Sequence, residues 1–251
     1  MDPAMNGSAL RGGIDGHDVQ VRYLRTDRLE EHSLPEFLRQ LPVDEQNRAA
    51  SFRFVKDRLA FALGRVLLRK TLSIYAIPPS GGWEFDSSKD RKPHLHRSTG
   101  TPPFTFNISH CAGIVAVGLA LEREIGIDVE SVNVARPEME IVRSCFAPEE
   151  IQHMESLPPA QRPTAFVRYW TLKEAYVKAC GKGLTISFAD IAFVFEPIRI
   201  VFPEEVTADV EDWSFWQARI RPLHVLAVAA RGGMHEQLAV CAREVPLESL
   251  R

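Results

Sequence analysis

No stretch of this 251-residue chain strings together the roughly 20 apolar residues that a bilayer-spanning helix needs, so no membrane segment is predicted. Met1 to Gly16 lacks the apolar centre of a signal peptide and reads as a flexible tail. Cysteine is scarce: Cys111, Cys145, Cys180 and Cys241 lie far apart with no C-x-x-C pair, which signals neither a zinc module nor a disulfide framework and fits a reducing cytoplasm. An excess of positive charge is missing as well. Thirty Lys and Arg against 33 Asp and Glu leave a net charge of -3, which argues against a basic coat for nucleic acid, so any basic site must be local. Low-complexity tracts and repeats are not evident. What is present, 45% apolar and 25% charged residues, is an ordinary globular mixture with enough apolar side chains for a sizeable core, in one domain or two small ones.

From Asp57 to Tyr75 the apolar residues Leu59, Leu63, Val66, Leu67 and Ile74 recur at helical spacing, with Arg58, Arg65, Arg69 and Lys70 largely between them. Phe52, Phe54 and Phe61 read as helix-face core, and Pro78, Pro79 and the Ser80 to Gly82 turn stop the helix. Phe104 to Ile108 alternates as a half-buried strand, Ser109 to Gly113 reads as a turn, and the apolar run Ile114 to Leu121 as a buried strand. The charged tip Glu122-Arg123-Glu124 precedes a strand over Ile125 to Val129 and is the best candidate boundary, dividing the chain into halves 1–122 and 123–251. Downstream, Pro148-Glu149-Glu150 opens a helix, a longer one covers Thr164 to Ala179 with Trp170 packing it on the core, and Gly181 and Gly183 stop it. Strand-like runs then fill 191–240.

In Gly126-Ile127-Asp128-Val129-Glu130 the carboxylates of Asp128 and Glu130 leave one face of the strand, while Ile127 and Val129 point to the core. Side by side they repel unless water or a cation relieves them, and magnesium favours such oxygen ligands together with phosphate. In Trp170-Thr171-Leu172-Lys173-Glu174-Ala175-Tyr176-Val177-Lys178, Glu174 and Lys178 share one helix face, with Lys173 about a quarter-turn away. Blander readings stand beside each of these: a solvated acidic strand end, a surface ion pair, a loop histidine at His110. The sharper expectation is one divalent-metal site of Asp128, Glu130 and Glu174, flanked by Lys173 and Lys178, that handles a diphosphate-containing substrate.

Phe106-Asn107-Ile108-Ser109-His110, Gly126 to Glu130, Trp170-x-x-Lys173-Glu174-Ala175-x-x-Lys178 and Gly181-Lys182-Gly183-Leu184 together resemble the ordered signature of the Sfp-type 4'-phosphopantetheinyl transferases. Arg91-Lys92-Pro93 resembles the family's Gly-Lys-Pro motif with arginine for glycine, and the helix with Asp57, Gly64 and Arg69 fits too, so the resemblance spans about Arg48 to Leu184. It implies an α/β (α+β) fold of two similar pseudo-twofold-related subdomains, each a small antiparallel sheet on a long helix, with coenzyme A between them. The implied reaction moves the phosphopantetheine arm of coenzyme A to a serine of an acyl, peptidyl or aryl carrier protein, releasing 3',5'-ADP. Magnesium, with manganese able to substitute, would be held by Asp128, Glu130 and Glu174. Glu174 would take the serine proton, and Lys178 would stabilise the leaving phosphate.

The resemblance assigns Ser109, His110, Lys92, Pro93, Asp128, Lys173 and Lys178 to coenzyme A, and Arg48 and Arg58 to its nucleotide phosphates, although a family basic position is Ala60 here. It further implies a monomer, with secondary metabolite biosynthesis as the expected setting and the individual carrier protein left open, while the cysteines, charge and hydropathy above point to the cytoplasm and to no nucleic acid or membrane partner. A coenzyme A-binding module without catalysis and a structural interaction protein are the rival readings.

Overall fold

The computed structural model describes residues 13–15, 18–27, 29–86, 93–96, 101–133, 139–181, 186–202, 212–220, 222–232 and 238–251. Strand β1 (Asp18–Arg25) is followed by helices α1 (Leu34–Leu38), α2 (Val43–Ser51) and α3 (Val55–Tyr75). The short pair β2 (Phe85–Asp86) and β3 (His94–Leu95) leads to β4 (Phe104–Cys111), β5 (Ile114–Leu121) and β6 (Ile125–Ser131). Helices α4 (Met139–Cys145), α5 (Pro148–Ser156) and α6 (Arg162–Cys180) come next. The small hairpin β7 (Ala192–Val194) and β8 (Arg199–Val201) precedes β9 (Trp213–Ile220), β10 (His224–Arg231) and β11 (Ala239–Glu244). Among the described residues no helix is long and apolar enough to cross a membrane.

The same unit occurs twice. A strand, a long helix and a hairpin fold into a sheet with order β1-β5-β4 in the first half and β6-β10-β9 in the second, antiparallel throughout. Strand alternation then assigns each face. Val115, Val117 and Leu119 of β5 pack on Leu63, Leu67 and Leu72 of α3, whereas Ala227 and Ala229 of β10 pack on Leu172, Ala175 and Ala179 of α6. The opposite faces meet in a third cluster built from Val19, Val21, Ile114, Ala116, Ile127, Val129, Leu226 and Val228. The result is a helix-sheet-sheet-helix stack, the α/β fold of two similar halves expected from the sequence.

The sequence reading differs from the structure in two places that bear on the site. Ser109 to Cys111 continue β4, and the turn is only Ala112-Gly113 with Gly113 at φ 86°. Residues 239–244 do not stay with the second half: β11 adds in parallel to β1, and Leu250 is buried in the α3 core.

Candidate functional site

Gly126, Asp128 and Glu130 alternate with the core residues Ile127 and Val129 and so face α6. A Cβ on Gly126 would stand 2.0 Å from the Ala175 carbonyl oxygen and 2.4 Å from the Ala179 nitrogen. Only glycine lets the helix backbone lie this close to the strand. That approach places Lys178 Nζ 2.5 Å from Asp128 Oδ1.

The third element is β4, whose polar residues 105, 107 and 109 alternate with core aromatics at 104 and 106. Strands β4 and β6 are edges of different sheets, and side chains take the place of a ladder between them. Asn107 Oδ1 accepts from the Ile127 N–H at 2.9 Å, Ser109 Oγ accepts from the Val129 N–H at 3.2 Å, and the Thr105 hydroxyl donates to the Arg123 carbonyl. Ser109 Oγ also donates to Asp128 Oδ1 at 2.9 Å and lies 3.2 Å from Lys178 Nζ. Asp128 is 3% exposed, and its Oδ2 is buried without a hydrogen-bond partner.

Glu130 and Glu174 share this electrostatic field. Burial, then repulsion from Asp128, pushes the Glu130 carboxyl up to about 7. Burial also raises Glu174, with Lys178 opposing and Asp128 adding to the rise. Burial, then the charges of Glu130 and Asp128, pushes the neighbouring Cys111 thiol up to about 12. His110 stands exposed at the rim, yet the protein packed about its ring lowers its pKa, Lys178 lowers it further, and Asp57 and Asp128 oppose.

Three carboxylates around one lysine leave two negative charges in excess when all are ionised. Among the described residues no three Asp, Glu, His or Cys side chains converge at metal-ligand spacing, so the expected triad is not preassembled. The donor set still fits a hard divalent cation: carboxylate oxygens only, a buried Oδ2 lacking a partner, and a surplus of charge that a divalent ion cancels.

Lys173 is the clear correction. It is 0% exposed and its ammonium faces the second-half core, 2.7 Å from Glu150 Oε2 and bonded to the carbonyls of Phe188 (2.6 Å) and Ile191. Glu150 in turn accepts from the Ala147 N–H at 3.1 Å and the Phe193 N–H at 2.8 Å. A quarter-turn of helix separates it from Glu174, and that is enough to put it on the wrong side to meet a phosphate. Arg48 and Arg58 are not drawn into the Asp128 cluster either: Arg48 sits over the Phe61 ring at 5.9 Å, and Arg58 Nε donates to the Phe52 carbonyl at 2.8 Å.

Pro93 lines a groove of about 670 Å³ together with Thr105, Phe106, Cys180 and Gly181. Arg91, Lys92 and residues 182–184 lie outside the described residues. Trp170 packs on Phe166 and Phe188 as expected, whereas Phe54, expected in the core, is 52% exposed. Sequence reasoning placed Asn107 in a family motif and Glu150 at a helix start, but missed the Ile127 contact of the one and the Lys173 pairing of the other. The polar alternation at 105, 107 and 109 could have flagged the first, and the helix start at Pro148 marks the local bond of Glu150 to the Ala147 N–H, but nothing local marks its pairing with Lys173.

Residues 124–230 match the model of the 4'-phosphopantetheinyl transferase superfamily, and residues 29–122 match that of the 4'-phosphopantetheinyl transferase N-terminal region. The 4'-phosphopantetheinyl transferase HetI of a Nostoc species is 34% identical over 154 residues, 61% of this chain and 65% of that protein. The human L-aminoadipate-semialdehyde dehydrogenase-phosphopantetheinyl transferase is 27% identical over 220 residues, 80% of this chain and 71% of that one. This chain thus spans slightly less than two thirds of the Nostoc relative's length.

Proposed function

Because the chain belongs to the 4'-phosphopantetheinyl transferase superfamily, we propose that it transfers the phosphopantetheine arm of coenzyme A to a serine of an acyl, peptidyl or aryl carrier protein. The observation that carries this reading is the junction at Asp128, where one buried carboxylate meets Ser109 of the first half and Lys178 of the second and keeps an oxygen in reserve. Asp128, Glu130 and Glu174 would hold magnesium or manganese. When bound, that ion would draw charge from the coenzyme A diphosphate.

The chain's own residues supply the rest. Glu174 accepts the proton of the attacking serine hydroxyl, a task favoured by the rise in its pKa that burial causes. The serine oxygen bonds to the phosphorus that bears pantetheine, the bond from that phosphorus to the bridging oxygen breaks, and 3',5'-ADP leaves with the electron pair. Lys178 faces the charge that develops on the leaving phosphate. Ser109 and His110 contact the nucleotide end, as does Pro93 from the groove. In this reading the enzyme works as a cytoplasmic monomer.

Intact-mass measurement tests the proposal. An apo carrier protein incubated with enzyme, coenzyme A and magnesium should gain the mass of one phosphopantetheine arm, and chelating the metal should stop the gain. Failure to modify acyl, peptidyl and aryl carriers alike would sink the transferase reading.

A further inference from the structure

Between α2 and α3 the chain runs extended, and Phe54, at φ -100° and ψ 141°, caps the start of α3. Phe52 turns inward onto Phe61, with ring centroids 5.5 Å apart, but Phe54 stays 52% exposed. Two cations sit on its ring: Arg53 Cζ at 5.3 Å and Lys56 Nζ at 5.6 Å from the centroid. Exposed cation-π contacts are weak, too weak for folding alone to account for a phenyl ring left in water. Aromatic side chains with arginine beside them are the composition of protein-protein contact centres.

The position of the ring makes that composition informative. Lys56 also lines a cleft of about 460 Å³ whose wall includes Asp57, Glu31, His110 and Cys111. Lys56 thus joins the exposed ring to this cleft, and His110 on its wall lies within electrostatic reach of Lys178 and Asp128, so the patch adjoins the site. The acids nearby, Glu31 and Asp57, line the cleft, and the groups on the ring itself are both positive.

We propose that Arg53, Phe54 and Lys56 form the docking surface for the acceptor protein, an acidic carrier surface that seats an apolar side chain on Phe54 and delivers its serine toward Glu174. The inference rests on the transferase reading of the site for the identity of that partner. Complementary charge sets the occupant: two cations flanking one ring select acidic groups around an apolar contact.

Fluorescence anisotropy with a labelled apo acyl carrier protein provides the test, with binding of coenzyme A followed separately by calorimetry. In the full chain, Phe54→Ala and the double variant Arg53→Glu/Lys56→Glu should each weaken carrier binding by about tenfold or more. The double variant should also flatten the salt dependence, and neither should change the affinity for coenzyme A. Thermal melting checks that the variants stay folded, as the exposure of these side chains leads one to expect. Unchanged carrier binding in both variants, or no binding by the parent chain, overturns the proposal. So does a loss confined to coenzyme A, which would give the cations to the nucleotide. Binding is read without turnover, so a chain that binds the carrier through this surface yet transfers nothing would refute the transferase reading alone.

Discussion

Glu174 and Lys173 are adjacent in sequence and opposite in consequence. The Glu174 carboxylate feels Lys178 and Asp128 only through their charges, with no hydrogen bond from its side chain among the described residues, so Glu174→Gln should lower the transfer rate by about 10²–10⁴-fold in steady-state kinetics while leaving the melting temperature almost unchanged. Lys173 shares a buried ion pair whose donors and acceptors are matched, and removing one partner strands the other charge. Lys173→Met should therefore cost about 3–5 kcal/mol in denaturant unfolding, with partial recovery in Lys173→Met/Glu150→Gln. A Lys173 that bound phosphate would instead lower coenzyme A affinity and spare stability. Motif resemblance identified the pair of positions but not their directions, because the partner that claims Lys173 lies on α5, a tertiary contact with no sequence-local signal.

Among the elements, β6 and α6 are the best test of how a short motif acts through packing. The alternation that puts Asp128 opposite Ile127 is legible in the sequence, as are the period of α6 and its stop at Gly181, which adopts φ 66°. The role of Gly126 is not, since it depends on the helix backbone lying against the strand. Gly126→Ala should destabilise by about 3 kcal/mol or more and separate Lys178 from Asp128, because the added methyl meets main chain that cannot step aside. Asn107→Ala, by contrast, should cost about 1–3 kcal/mol through the unpaired Ile127 N–H, measurable as a shift of the denaturation midpoint. The turn expected at Ser109 was misplaced for a related reason: a polar residue in a strand reads as a break until the neighbouring edge that it serves is known.

For the whole molecule, a helix followed by strands was visible twice in the sequence, but the strand order that makes the two units equivalent was not. Nor was the return of β11 to the first sheet, a pairing between the two ends of the chain. Truncation after Arg231 would keep both family-matched regions whole, yet it should lower the melting temperature sharply. It removes the parallel partner of β1 and takes Leu238 and Leu250 out of their cores. Retained stability in that shortened chain, measured by calorimetry, would show the C-terminal strand to be dispensable. The cluster of Val21, Ala116, Ile127, Val129, Leu226 and Val228 lies between the two sheets and belongs to neither half alone. Either half cut free would bare that apolar face to water, and the surface shaped to cover it is a second copy of the same unit. In quaternary terms, the chain behaves like a dimer of two unlike halves joined in one polypeptide, with what would be the subunit interface as its central core.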